Sequence, residues 1–382
     1  MFINREIEQY IQPTIDAFSV IAITGPRQSG KTTLIKQMFQ NFGYYSLENP
    51  DILAIALRDP VSFLSQNERM IIDEVQHAPA LFSYIQGIVD DNPARKFILS
   101  GSSNFLLMKR ITQSLAGRVA IFELLPFSYG EIYNLVEEKS MDELLFSGLY
   151  PSIYSSTKTP QQFYSNYVKT YIERDVRDLL NIKDLMQFHA FLKLCAGRIG
   201  SLFNVSDLSN EVGVSVATIN SWLSVLQASY IIFLLPPYFE NINKRLVKHP
   251  KLYFVDTGLS CYLLDIENCK QLERDKMRGH LFENFIVTNY LKNRLNKGKT
   301  SNLYFYRDSN KNEVDLLLLN GKLFEAIEIK SSQTYHPDFE KGLVAFEKVF
   351  GNRVQNKQII YCGGMENTAG KIKLLNYKHI ND

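Results

Sequence analysis

A chain of 382 residues and 44.0 kDa exceeds one ordinary core, and its length suggests about two or three domains. With 45% hydrophobic and 21% charged residues it is neither a disordered nor a fibrous sequence, and a formal net charge of +2 excludes a global basic field, so any nucleic-acid site must be a local patch. Cys195, Cys261, Cys269 and Cys362 lack CxxC spacing, which argues against a disulfide framework or zinc knuckle and fits a reducing cytoplasm, and the histidines show no HxH or HExxH spacing.

The N-terminal stretch MFINREIEQYIQP carries charge throughout and has no signal-peptide core. No later stretch approaches the ~18 uncharged apolar residues of a membrane span, so a cytoplasmic protein without membrane insertion is expected. From Phe18 to about Asn134, apolar runs such as SVIAIT, ERMIID, KFILSG and VAIFEL alternate with helical patterns, which predicts βαβ units on a mostly parallel sheet. Residues 138–184 show helical spacing, as in QQFYSNYVKTYIERDVRDLL, and suggest a helical lid. Between Ala190 and Pro250, VSDLSNEVG followed by VSVATINSWLSVLQASY and an apolar strand suggests a helix-turn-helix with a wing, with Trp222 as a core anchor. From about Gly279 the pattern becomes helix (HLFENFIVTNYLKNRL), strand (LYFYRD), strand (EVDLLLL), an Asn320-Gly321 turn and strand (LFEAIEIK).

GPRQSGKT, from Gly25 to Thr32, fits GxxxxGK[ST] between an apolar strand and a helix, the context that motif requires. Gly25, Pro26, Arg27, Gln28, Ser29 and Gly30, with Lys31, Thr32 and Thr33 opening the helix, would cradle the phosphates of ATP, because orphan backbone donors and the helix dipole favour an anion there. Lys31 would neutralise phosphate oxygens and the Thr32 hydroxyl would ligate Mg²⁺. Met70-Ile71-Ile72-Asp73-Glu74 supplies the second element: Asp73 at a strand end would hold Mg²⁺ and Glu74 would polarise the attacking water. The segment from Ser100 to Asn104 would lie beside the γ-phosphate, with Ser103 or Asn104 as sensor. Arg118 could stabilise transition-state charge on a neighbouring subunit's ATP, or form only a local salt bridge.

Three further features sit outside that site. The second helix of the helix-turn-helix carries Ser215, Thr218, Asn220 and Ser221 but no Lys or Arg, a poor set for reading base edges. NINKRLVKHPK gathers Lys244, Arg245, Lys248 and Lys251, a strip suited to phosphate contact without sequence reading, or else an ordinary hairpin or protein-contact surface. Glu283, Asp315, Glu328 and Lys330 fit the E…D…ExK order of PD-(D/E)xK nucleases: Asp315 and Glu328 on adjacent strands could share a Mg²⁺, Glu283 could add a ligand, and Lys330 could activate water. The alternative is a buried ion-pair cluster in a degenerate nuclease fold.

GPRQSGKTTL, IIDEVQ, LSGSSNFLL, LAGR, LPFSYGEI, YIERDVRDLL, KRLVKHPKLYFVDTGL and EVDLLL together resemble the prokaryotic AAA+ ATPases that carry a C-terminal domain of unknown function, over nearly the whole chain. The resemblance implies an α/β protein: a doubly wound P-loop AAA+ domain over 1–135, a helical lid over 136–189, a winged helix over 190–255 and a restriction-nuclease-like domain over 256–382. It also implies an oligomer, in keeping with the reading of Arg118. The expected function is Mg²⁺-dependent ATP hydrolysis acting on DNA. An ATP-gated nuclease and an ATP switch that binds a protein partner are the alternatives.

Overall fold

The computed structural model describes residues 3–102, 114–173, 185–239 and 249–380. The first sheet contains β1 (Val20–Thr24), β2 (Gly43–Ser46), β3 (Arg69–Asp73), β4 (Lys96–Gly101) and β5 (Val119–Glu123) in the order β2-β3-β4-β1-β5, every pair parallel. Alternation along the strands feeds two cores. Val20 and Ala22 of β1, Met70 and Ile72 of β3 and Phe97 and Leu99 of β4 pack on one face with Phe63 and Phe82. Ile21, Ile23, Ile71 and Ile98 pack on the other with Ile7, Ile11, Leu34 and Phe39. Helices therefore cover both faces: α1 (Glu8–Ala17) and α2 (Lys31–Met38) on the second, and α3 (Pro50–Arg58), α4 (Pro60–Ser65) and α5 (Leu81–Asp91) on the first. This is a doubly covered parallel α/β sheet, with every strand's C-terminus at the edge where ligands bind in such sheets.

The helices that follow start where their sequences provide caps. Capping boxes at Ser128/Glu131, Ser140/Glu143 and Thr159/Gln162 open α6 (Tyr129–Val136), α7 (Met141–Ser147) and α9 (Pro160–Tyr167), with the short α8 (Pro151–Ser155) between the last two. A π-helical turn over Val168–Ile172 continues α9. Then come α10 (Leu185–Ala196), α11 (Val205–Val212) and α12 (Val216–Ala228), the last opened by a Ser215 cap, and the antiparallel pair β6 (Ile232–Leu235) and β7 (Lys251–Phe254). Trp222 is a core anchor as expected, its ring 5.4 Å from that of Phe188 and 5.2 Å from that of Phe191.

After α13 (Thr257–Leu263) and α14 (Cys269–Glu273), the long α15 (Arg278–Asn296) packs on a second sheet of order β12-β11-β10-β9-β8. In it β8 (Leu303–Arg307), β9 (Glu313–Asn320) and β10 (Leu323–Lys330) form an antiparallel meander, and α16 (Lys341–Phe350) leads to β11 (Val354–Tyr361) and β12 (Lys373–Asn376), parallel to β10. Asn320 pairs directly with Leu323, so the hairpin turns on Gly321 and Lys322, one residue later than the Asn-Gly pair suggests, with Gly321 in the left-handed region.

One hydrophobic cluster runs from Leu125 to Ile380, so the helices from α6 to α12, the β6–β7 pair and the helix beneath the second sheet share a single core. Changes of hydrophobic period mark element boundaries; they do not mark where one core ends.

Candidate functional site: a P-loop held by three neighbouring segments

Gly25 begins the loop at φ +150, and a Cβ there would lie 2.1 Å from the Leu124 carbonyl oxygen, so only glycine lets the chain leave β1. Gly30, at φ +96, turns the loop into α2 and leaves the first-turn N–H groups facing the loop. Lys31 is 6% exposed and its ammonium donates to the carbonyls of Gly25 (2.9 Å) and Pro26 (2.8 Å), which keeps it over the loop. The Ser29 hydroxyl is buried with no hydrogen-bond partner among the described residues, an orphaned polar atom inside the cradle that a phosphate oxygen would satisfy.

Asp73 ends β3 at 3% exposure and collects the hydroxyls around it. Its carboxylate accepts from Thr32 Oγ1 (2.7 Å), Tyr44 Oη (2.9 Å) and Ser100 Oγ. Burial, followed by the Asp73 charge, holds the Tyr44 phenol well above its ordinary value, so it stays a donor. Thr32 and Asp73 are thus one contact apart, a hydroxyl and a carboxylate suited to Mg²⁺.

Glu74 follows in left-handed backbone at φ +55, and its N–H donates to Asp73 Oδ1 at 3.2 Å. Its carboxylate accepts from Gln76 Nε2 and from Ser102 Oγ at 3.1 Å. The sensor candidates Ser103 and Asn104 lie outside the described residues. Ser100 on Asp73 and Ser102 on Glu74 are the described contacts from that strand end, and their place inside KFILSGS was the available signal.

Three segments brace the loop, and none is visible in the motif. Arg5, 6% exposed, donates to the Ser29 carbonyl (3.0 Å), the Leu125 carbonyl (2.9 Å) and both oxygens of Glu131 (2.8 and 3.2 Å), tying the N-terminal segment and the LPFSYGE turn to the back of the P-loop. Gln28 donates to Tyr171 Oη (2.9 Å) and the Arg27 guanidinium lies over the Tyr171 ring, so these two loop side chains face the π-helical turn that continues α9. Tyr230, at the unusual φ of +56, places its hydroxyl 2.8 Å from Thr24 Oγ1, one residue before Gly25. It also bonds the Glu123 carboxyl, which burial pushes above the ordinary carboxylate range.

Arg118 lies at the N-terminal edge of the sheet, where its carbonyl accepts from Val20 N, and its guanidinium pairs with Asp90. That edge is opposite the chain's own P-loop.

The second constellation converges as its spacing suggests, but with an additional residue at its centre. Asp315 and Lys330 approach to 3.4 Å, Glu328 and Lys330 to 2.5 Å, and the Ile329 N–H donates to Asp315 at 2.8 Å. Lys251, expected as the fourth member of a phosphate-contact strip, requires correction: it is 2% exposed and its ammonium lies 3.0 Å from Glu283, 2.6 Å from Glu313 and 3.9 Å from Asp315. It is a strand residue whose side chain points inward, so it offers nothing to a phosphate backbone. Lys244, Arg245 and Lys248 lie outside the described residues.

Burial pulls the Lys251 ammonium down, but Glu283, Tyr253, Asp315 and Glu313 outweigh it and hold it well above the ordinary lysine value. Burial and then Asp315 push Glu328 up to about 8, with Lys330 only partly offsetting them. The Lys251 and Lys330 ammonium groups stand among these carboxylates and compete with a divalent ion for the same oxygens, so a divalent ion does not fit this arrangement. Among the described residues no group of three or more His, Cys, Asp or Glu side chains could hold a metal ion. No described helix is long and apolar enough to cross a membrane.

Residues 17–133 match the family described as "AAA domain", 138–270 a "Domain of unknown function (DUF8612)" and 278–380 a "Domain of unknown function (DUF4143)". The middle match spans α7 through α13. The chain is 32% identical over 340 residues to "Uncharacterized protein Rv2008c" of Mycobacterium tuberculosis, covering 87% of this chain and 74% of that one. It is 24% identical over 380 residues to "Uncharacterized protein MJ1544" of Methanocaldococcus jannaschii, covering 91% and 81%. Among solved structures, the Walker-type ATPase PABY2304 of Pyrococcus abyssi is similar over 69% of this chain and 96% of that one at 12% identity, with a TM-score of 0.45, too slight to carry an argument. By its relationship to the mycobacterial protein and its AAA and DUF4143 matches, the chain belongs to a family of prokaryotic AAA-domain P-loop ATPases with a C-terminal DUF4143 domain.

Proposed function

We propose that the protein is a Mg²⁺-dependent AAA+ ATPase that acts on DNA as an oligomer. The observation that carries the ATPase part is the pairing of Thr32 with Asp73 beside a separately oriented Glu74. Mg²⁺ held by Thr32 and Asp73 would neutralise charge on the phosphates. Lys31, released from its two loop carbonyls, binds the β- and γ-phosphate oxygens. Glu74, fixed by Ser102 and Gln76, accepts a hydrogen bond from the attacking water and aligns it. Arg118 pairs with Asp90 at the opposite edge of the sheet, and it would have to leave that pair to stabilise charge on a neighbour's ATP.

DNA action rests on local charge. Lys244, Arg245 and Lys248 would supply the phosphate strip, and a cleft of about 720 Å³ over the second sheet, lined by Arg294, Lys297, Lys299 and Lys373 together with Glu325 and Glu366, adds a surface with an excess of positive charge. A second reading, an ATP switch that binds a protein partner, is favoured by the inward-facing Lys251 and by α12 having no Lys or Arg. Steady-state ATP turnover with Mg²⁺, alone and with single-stranded, duplex and four-way branched DNA, separates the two. A several-fold rise with one DNA form supports DNA action; turnover indifferent to all of them overturns it in favour of the switch.

A further inference from the structure

We infer that the nuclease-like carboxylate cluster is a metal-free ionic weld between the β6–β7 pair and the C-terminal sheet, with the Lys251 ammonium standing where a divalent cation would have to stand. The inference does not depend on the ATPase reading.

The geometry of the ammonium carries it. Glu283 of α15 and Glu313 and Asp315 of β9 all point an oxygen at Lys251 Nζ, at 3.0, 2.6 and 3.9 Å. A hard divalent cation needs oxygens at about 2.0–2.6 Å around one point. Here that point is filled by a group with three N–H donors on a side chain that is 3% exposed. Lys330 meets Asp315 at 3.4 Å and Glu328 Oε1 at 2.5 Å, leaving Glu328 Oε2 buried with no hydrogen-bond partner among the described residues, and Arg307 meets Glu313 at 3.1 Å. The carboxylates of Glu283, Glu313, Asp315 and Glu328 thus face Lys251, Lys330 and Arg307, a cluster balanced to within one charge by the protein itself. Little field remains to repay the dehydration of a doubly charged ion.

The local sequence shows why the lysine arrives there. Lys251 and Tyr253 are two residues apart on β7 and therefore share a face, and Tyr253 donates to the same Glu283 oxygen at 2.6 Å. The Phe305 ring covers the ammonium, 5.5 Å from Nζ. Two donors from one strand gripping one carboxylate of α15 fasten β7 to the C-terminal domain. At the other end of the pair, Val255 N donates to the Ile231 carbonyl, beside the Tyr230 that touches the P-loop strand.

The test is Mn²⁺ binding to the nucleotide-free full chain, read by the electron paramagnetic resonance spectrum of bound Mn²⁺ and by the Mn²⁺-induced shift in Tm. Wild type and Asp315→Asn are expected to give the same spectrum and no Tm shift. Lys251→Met keeps the stem and removes the charge, leaving three carboxylates around one point. It is expected to bind Mn²⁺ at least roughly tenfold more tightly than wild type, because buried charge left unpaired demands a counter-ion. Adding Asp315→Asn to that variant should abolish the gain. A Mn²⁺ signal in wild type that Asp315→Asn removes would overturn the inference, as would a folded Lys251→Met chain that takes up none. Should Lys251→Met not fold, the comparison of wild type with Asp315→Asn decides alone.

Discussion

Replacing Arg5 by alanine should damage the nucleotide site without touching the P-loop motif. The Arg5 and Glu131 side chains are 5% and 0% exposed, and the guanidinium makes the two contacts to Glu131 and one each to the Ser29 and Leu125 carbonyls. Removing one partner of a buried ion pair destabilises by about 3–5 kcal/mol, mostly through the charge left behind. Glu131 keeps the Glu6 and Ser128 N–H groups as donors, which places the effect at the low end, about 3 kcal/mol. For a chain of 382 residues, at ~2.1 cal/mol/K of unfolding entropy per residue, that is a fall in Tm of roughly 4 °C. Losing the Ser29 contact loosens the loop itself, so ATP affinity measured calorimetrically should drop about tenfold, near 1.4 kcal/mol. Arg5→Lys, with the charge but no planar fork, should fall between. An alanine variant with unchanged Tm and unchanged ATP affinity would refute the bracing role.

Two further outcomes follow from groups outside the motif. Tyr230→Phe removes the hydroxyl that meets Thr24 and Glu123 and should lower stability by about 1–2 kcal/mol in urea unfolding, while an unchanged midpoint would deny the contact any weight. Burial depresses the Lys292 ammonium to about 8, outweighing the attraction of Asp256 and Glu131. Between about 8 and the ordinary lysine value the unfolded chain holds a proton that the folded chain has shed, so this group makes stability rise with pH across that window and fall as pH drops through 8. The stability difference between wild type and Lys292→Met, followed from pH 7 to 10.5, should show that slope; a flat difference would contradict it.

What could be read in the sequence was what local spacing determines. GPRQSGKT and MIIDE carry their own context, strand before loop and strand before carboxylates, and Thr32 and Asp73 do meet. Alternation in LFEAIEIK places Glu328 and Lys330 on one strand face beside Asp315, which the 2.5 and 3.4 Å contacts reflect. What could not be read depends on distant segments. Arg5 reaches a carboxylate 126 residues away, and Tyr230 meets Thr24 across 206 residues. Lys251 looked like one of four basic surface residues because a run of charges gives no strand register; β7 begins there and turns the side chain inward. The shared core from Leu125 to Ile380 was hidden for the same reason, since helical and strand periods persist across segments that pack together.

The central claim is that Asp73 and Glu74 divide metal binding from water alignment. Its most direct test is Glu74→Gln, assayed in parallel for ATP binding and for Mg²⁺-dependent turnover. Because the amide keeps the shape and can still bond to Ser102, ATP affinity should match wild type while turnover falls by roughly a hundredfold or more, the scale of a lost general base. Normal turnover in that variant would contradict the assignment.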